Sequence, residues 1–305
     1  MLCLLLVLAQ DETAEKALQF VVSSQQKDGS WKVGPRPYSV IAATALNAMA
    51  LARGGEKRRE PLGRAREYLR GALEKFWAER QLYDEDVFVG NLFAGLFLRE
   101  LADPDERERA ALRRIRDYFE RRQKSDGGWH YEAGSSVFMS ALVVLVLDRA
   151  EGAAADRARE YFKNAQRDDG GFEYYGGRGR KAEVGRTAAA AIAMSRLGMD
   201  AARARGFVEK HLASFEDCHG GPAIHYFVTG LACREAGGEL AARFVRLARE
   251  RLAGRQARDG SILFSTARAE FYPEADYTTG VYVLGIGSLN DSAPNRPAST
   301  ENRGR

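Results

Sequence analysis

Apolar residues recur along most of this chain at three- and four-residue intervals, which places them on one stripe of an α-helix, and the runs are punctuated by Gly, Pro and Asp, which stop helices. Two kinds of run alternate. Those over 12–26, 61–79, 104–122, 153–166, 200–213 and 239–256 are rich in Arg and Glu with Leu, Phe or Tyr at helical spacing, so each predicts an amphipathic helix with one face in water. Those over 38–53, 86–102, 135–150, 182–197, 222–237 and 275–289 carry Ala, Val, Leu, Gly and Thr around most of the circumference. They predict helices buried on several faces, whose small residues permit close backbone approach. The expected architecture is all-α: six outer–inner helix hairpins.

A repeat marks the hairpins. The segments starting at Gln25, Gln123, Gln166 and Gln256 all read Gln-x-x-Asp-Gly-small-apolar and end in Trp31, Trp129, Phe172 and Ile262. Their separations of 98, 43 and 90 residues are close to two, one and two units of about 45, so two copies are missing in phase, near residues 75 and 211. Asp-Gly favours a chain reversal at the end of an outer helix, the following aromatic can pack across the hairpin, and the Gln amide can hydrogen-bond exposed helix-end groups. Hairpins stacked side by side bury a continuous core. Closure into an α6/α6 toroid removes the need for end caps, and an open solenoid is the rival arrangement.

These four copies resemble the glutamine–tryptophan motifs of squalene–hopene cyclases and related terpenoid cyclases, and the resemblance extends over residues 12–289. It implies the α/α toroid shared by that superfamily and the protein prenyltransferases. It also implies a central cavity for an isoprenoid or other lipidic molecule. Cyclases of this type protonate their substrate from an Asp-x-Asp-Asp motif, whose nearest match is Asp84-Glu85-Asp86-Val87. By that resemblance Asp86 is the candidate general acid and Asp84 the residue that orients it, although Val87 stands where the last Asp belongs. Acidic residues opening a helix also serve as caps that complement its dipole. A prenyltransferase would need a zinc site of Asp, Cys and His; Asp217, Cys218, His219 and His225 cluster here but do not match that family's positions.

If the ring closes, the inner helices run parallel, and Tyr38, Asp84, Asp86, Glu183, His225, Asp276 and Tyr277 begin helices at one mouth. His225 and Asp276 are then further catalytic candidates, and Tyr38, Glu183, Tyr226 and Tyr277 candidate ligand contacts. Asp84, Asp86 and His225 come from the two repeats that lost the turn motif. A non-catalytic binding or scaffold toroid is the alternative from another class, and no cofactor is called for.

Composition narrows the partners. With 46 basic and 42 acidic residues the net charge of +4 is a small difference between large numbers, so nucleic acid is not implied, and the Arg-rich runs alternate with Glu and Asp as solvated helix faces do. The apolar residues 1–8 followed by Ala9 fit a short signal peptide, which implies export, and no later run is long enough to span a bilayer. The single toroid is expected over residues 10–289. The Pro-, Ser- and Asn-rich stretch 290–305 is expected to be a disordered tail.

Overall fold

A computed structural model describes residues 12–31, 37–78, 84–175, 181–217, 222–262, 279–280 and 282–283. The signal-peptide segment, the tail, Asp276, Tyr277, Cys218 and His219 lie outside the described residues, and Tyr38 is described in its backbone only.

Among the described residues there are eleven α-helices and no strand, only isolated bridges from Gln166 to Phe172 and from Gln256 to Ile262 within two of the motif turns. The outer helices are α1 (Glu12–Ser24), α3 (Arg59–Ala78), α5 (Glu106–Arg122), α7 (Ala153–Ala165), α9 (Ala202–His211) and α11 (Gly238–Ala253). They alternate with the inner helices α2 (Pro37–Arg53), α4 (Asp84–Glu100), α6 (Val137–Leu147), α8 (Val184–Arg196) and α10 (Pro222–Ala236). Of the sixth inner segment, residues 279, 280, 282 and 283 are helical. Each outer helix buries a single stripe, as Ala65, Leu69, Leu73 and Phe76 do in α3, because only those positions recur on the face toward the inner layer. Asp105 and Glu108 cap α5 reciprocally, each side chain accepting from the other's backbone N–H.

The inner helices run parallel. Their C-terminal ends are joined by ion pairs from Arg53 to Glu100 (2.9 Å), Arg99 to Asp148 (3.3 Å) and Arg196 to Glu235 (3.0 Å), linking α2 to α4, α4 to α6 and α8 to α10.

The motif turns act as locks between repeats. Gln25 donates from Nε2 to the Gly29 carbonyl (3.0 Å) and, across to the next outer helix, to the Pro61 carbonyl (2.9 Å). Gln123 does the same to Gly127 and Ala154 (both 2.8 Å). The motif glycines adopt φ of +85 to +90° and press against a backbone carbonyl of the next outer helix, where a Cβ would overlap it, so both the turn and the approach require glycine. The backbone N–H of the closing residue is satisfied by a hydroxyl on the partner inner helix: Trp31 by Thr44 (3.2 Å), Trp129 by Ser140 (2.8 Å), Phe172 by Thr187 (3.0 Å) and Ile262 by Thr279 (2.9 Å).

The fourth lock closes the ring. Gln256 donates to the Thr13 carbonyl of α1 (2.8 Å), Gly260 sits against the carbonyl of Lys16, and Gly280 of the sixth inner segment meets Asn47 of α2. First and last repeats are thus joined in both layers, and the arrangement is a toroid rather than an open solenoid.

The two repeats without the motif use other chemistry. In the second, Trp77 donates its indole N–H to Asn91 of α4 (3.0 Å) and lies under Arg114 of the next outer helix, 4.4 Å from guanidinium to ring centre. In the fifth, Glu216 takes hydrogen bonds from Tyr226 and Arg255 and pairs with Arg251 at 2.7 Å. Burial raises the Glu216 pKa, but the bonds from Arg255 and Tyr226 and the two cationic charges outweigh that and hold it below the usual carboxylate range.

Candidate functional site

Parallel inner helices bring their first turns to one end of the ring, the mouth, and the chemistry-bearing residues there fall into two groups. On one side α4 opens with Asp84, Glu85 and Asp86. Asp84 points outward, its side chain 68% exposed, and pairs with Arg122 at the end of α5 (3.1 Å). Asp86, in the same first turn, is buried. The two carboxylates expected to act together therefore face different surroundings, one engaged by a surface cation and the other enclosed.

The other side is denser. After the second motif copy the chain carries His130 and Tyr131, and after the third Tyr174 and Tyr175; Val137 N–H to the Tyr174 carbonyl (3.2 Å) ties the two connections together. His130 stacks on Tyr131 with ring centres 4.1 Å apart, receives the Glu132 N–H at Nδ1 (3.1 Å), and lies 3.4 Å from the Tyr174 hydroxyl at Nε2. Tyr175 donates to Glu132 (3.1 Å), and Tyr131 reaches Phe88 of α4, 6.1 Å between ring centres. Burial depresses the His130 pKa and, aided by the Tyr175 neighbour, pushes Tyr174 up to about 12.

Beneath this aromatic layer lies Arg186 of α8, fully buried, paired with Glu183 at 3.0 Å and 4.7 Å from the Tyr174 ring centre. His225 of α10 lies deeper. Its imidazole stacks on Phe138 of α6, centres 5.1 Å apart and planes 12° from parallel, so helices of the third and fifth repeats meet over the fourth. They can do so because residue 185 of α8 is glycine: a Cβ there would overlap the His225 ring. Burial, with a smaller push from Arg186, drives the His225 pKa down to about 3, and Nδ1 has no hydrogen-bond partner among the described residues. A base whose conjugate acid forms only near pH 3 accepts no proton at neutral pH. In this state the imidazole serves packing, through its stack on Phe138.

Tyr226, one residue on, faces the other layer. Its hydroxyl donates to Glu216 and its ring packs edge-on against Phe215 (4.5 Å) and Tyr282 (4.6 Å), and burial raises its pKa. The structure thus brings Glu183 and His225 together through Arg186, keeps Asp84 and Asp86 in a separate group, and sets Tyr226 between the layers. His130, Tyr131, Tyr174 and Arg186 were not singled out from sequence. Their signal was the recurrence of aromatics directly after two successive motif copies.

Beyond the mouth the five described inner helices expose little of themselves. Residues 41–51, 90–98, 140–147, 184–194 and 223–233 are buried without interruption, including positions that face the ring axis. Val40, Val87, Val89 and Met139, near the starts of their helices, are partly buried, as are Arg99, Ser195 and Arg234 near the opposite ends. Two grooves of about 290 and 230 Å³ lie instead in the outer wall, flanking α5.

A family model described as "Squalene-hopene cyclase N-terminal domain" matches residues 112–211, a span that contains the second and third motif copies and the aromatic group but not Asp84 and Asp86. No curated protein matches the sequence. Among solved structures, the GH76A α-1,6-mannanase from Salegentibacter sp. is similar with a TM-score of 0.64 at 10% identity, over 92% of this chain and 99% of that one. The type II terpene cyclase MstE from Scytonema is similar with a TM-score of 0.57 at 17% identity, over 92% and 97%. The motif locks and the closed ring give the chain an α/α-toroid fold, the fold it shares with these structures, and residues 112–211 are similar to a squalene–hopene cyclase domain.

Proposed function

We propose that the protein is a binding toroid that receives an apolar, isoprenoid-like ligand at the mouth of the ring, with the ring itself as a rigid frame. The observation that carries this reading is the uninterrupted burial of the inner helices beyond their first turns, with the Phe138–His225 stack spanning three repeats. A polyene threaded along the axis would have to displace those side chains, at a cost of several kcal/mol for each large apolar group moved. At the mouth Val40, Val87, Val89 and Met139 are partly rather than fully buried, as are Tyr131, Tyr174 and Tyr175.

The same fold serves two ligand classes among its neighbours. A Scytonema enzyme variant holds geranylgeranyl dihydroxybenzoate as substrate, and a mannanase variant holds α-1,6-mannotriose. Apolar first turns favour the former class, because a saccharide needs a dense set of hydrogen-bonding groups to replace its water. Titration calorimetry with geranylgeraniol and with mannotriose tests the choice. Saturable binding of the prenyl alcohol, weakened about tenfold by Met139→Glu, is expected; binding of mannotriose alone would reverse the assignment.

A second reading, acid-initiated cyclisation by Asp86, is favoured by that carboxyl's burial beside Val87 and Val89. Cyclised product from the wild type but not from Asp86→Asn would put this reading in place of the first. The zinc-dependent transferase alternative draws on Cys218 and His219, which lie outside the described residues, and its third member His225 is enclosed by Phe138 and Gly185.

A further inference from the structure

The outer wall carries a groove that the mouth reading does not use. It lies between α3 and α5, where the second repeat lacks the motif lock and Trp77 stands in for it. The groove encloses about 230 Å³, below the roughly 300 Å³ where drug-sized pockets begin, so its occupant is smaller than a cyclised terpenoid. Leu69, Leu73, Phe97 and Leu98 form its floor, with one face of Trp77 at the side. Four arginines, Arg66, Arg70, Arg107 and Arg114, stand along it against two carboxylates, Glu74 and Glu108. Arg66 is spent on Glu108 (2.6 Å), Arg70 on Glu67 (2.6 Å) and Asp105, and Arg107 on Glu74 (2.9 Å). Arg114 differs: it is exposed and its contact is with the Trp77 ring.

We propose that this groove binds a medium-chain carboxylate, the alkyl chain on the leucine–phenylalanine floor and the carboxylate on Arg114. An apolar trough of this size matches a chain of modest length, and a guanidinium held at its rim by an aromatic face is pre-oriented for a planar anion. Arg66, Arg70 and Arg107 are already balanced by carboxylates, so the preference for an anionic over a cationic head group comes from Arg114. This site is independent of the mouth.

Trp77 supplies the readout. Of the three tryptophans, Trp31 and Trp129 are fully buried, so a change in emission on ligand addition reports chiefly on Trp77. Titration of the full chain with decanoate is expected to give a saturable change that Trp77→Phe removes. Decanol and decyltrimethylammonium should bind about tenfold more weakly. Ala110→Phe, an exposed position lining the groove, should block binding with circular dichroism and Tm unchanged, and Arg114→Gln should weaken decanoate to the level of decanol. Equal affinity for all three amphiphiles, a non-saturating change, or undiminished decanoate binding in both variants would overturn the assignment. Loss of geranylgeraniol binding in the Ala110→Phe protein would overturn the independence of the two sites.

Discussion

His225 and Gly185 fit one another because one of them has no side chain. The imidazole fills the gap left on α8 and meets Phe138 beyond it, and its removal from water lowers its pKa to about 3 from an ordinary 6.5. The consequence for stability has a definite sign. Below pH 6.5 the unfolded chain takes up a proton that the folded chain refuses, so stability falls with falling pH from about 6.5 to about 3, by up to about 1.4 kcal/mol per pH unit. Burial lowers His130 as well, and its contribution has the same sign. In His225→Leu the His130 share persists while the His225 share disappears, so urea unfolding between pH 4 and 6 should show a shallower slope than wild type. Identical slopes would mean that His225 is protonated in the fold. Legibility at this scale was uneven: His225 drew notice as a histidine opening an inner helix, whereas Arg186 lay inside an alanine-rich run and nothing nearby in sequence showed that Tyr174 and Glu183 would enclose it.

Helices and turns recur with small differences, and those differences rank the seams of the ring. Where each motif glycine meets the next outer helix, three positions are arginine. Arg64 donates to the Gln25 amide oxygen (2.6 Å), Arg157 to that of Gln123 (2.5 Å), and Arg203 to the carbonyls of Arg167 (3.0 Å) and Asp168 (2.7 Å). At the closing seam the equivalent residue is Lys16, which pairs with Glu12 of its own helix (2.5 Å). A guanidinium can bridge two acceptors where an ammonium meets one. Lys16→Arg should therefore tighten the seam by roughly 0.5 kcal/mol, the scale of an exposed charged contact, and raise the melting temperature slightly. Arg157→Lys should lower it by a similar amount. A Lys16→Arg protein no more stable than wild type would show that the seam is not limited by this contact. The motif's Gln, Asp-Gly and aromatic were visible in the sequence with their roles. Their hydroxyl partners Thr44, Ser140, Thr187 and Thr279 were not, because each lies a helix entrance away and Ser or Thr in an inner helix has many other uses.

Closure is a property of the whole molecule. In an open solenoid each repeat touches only its neighbours, and removing a terminal one leaves the rest intact. Here α1 is held from both sides, by the hairpin it forms with α2 and by the Gln256 lock from α11, so deleting residues 1–24 strips partners from both. Loss of the buried Ala17, Leu18 and Val21 alone amounts to roughly 4–6 kcal/mol. The truncated protein should melt far below the full chain and without a single cooperative transition in calorimetry; an unchanged melting profile would argue that the ring is open in solution. Taken by itself, the sequence determined the helices, their division into amphipathic outer and all-round apolar inner kinds, and the turns that pair them. Each of those follows from periodicity and from the conformational preferences of a few neighbouring residues. Only the tertiary structure decided that the five described inner helices are buried past their first turns, that Asp84 turns outward to Arg122 while Asp86 is enclosed, and that Phe138 reaches His225 past Gly185. Those outcomes depend on how tightly the ring curves and on which side chains then compete for the same space, and neither is encoded in the pattern of any one segment.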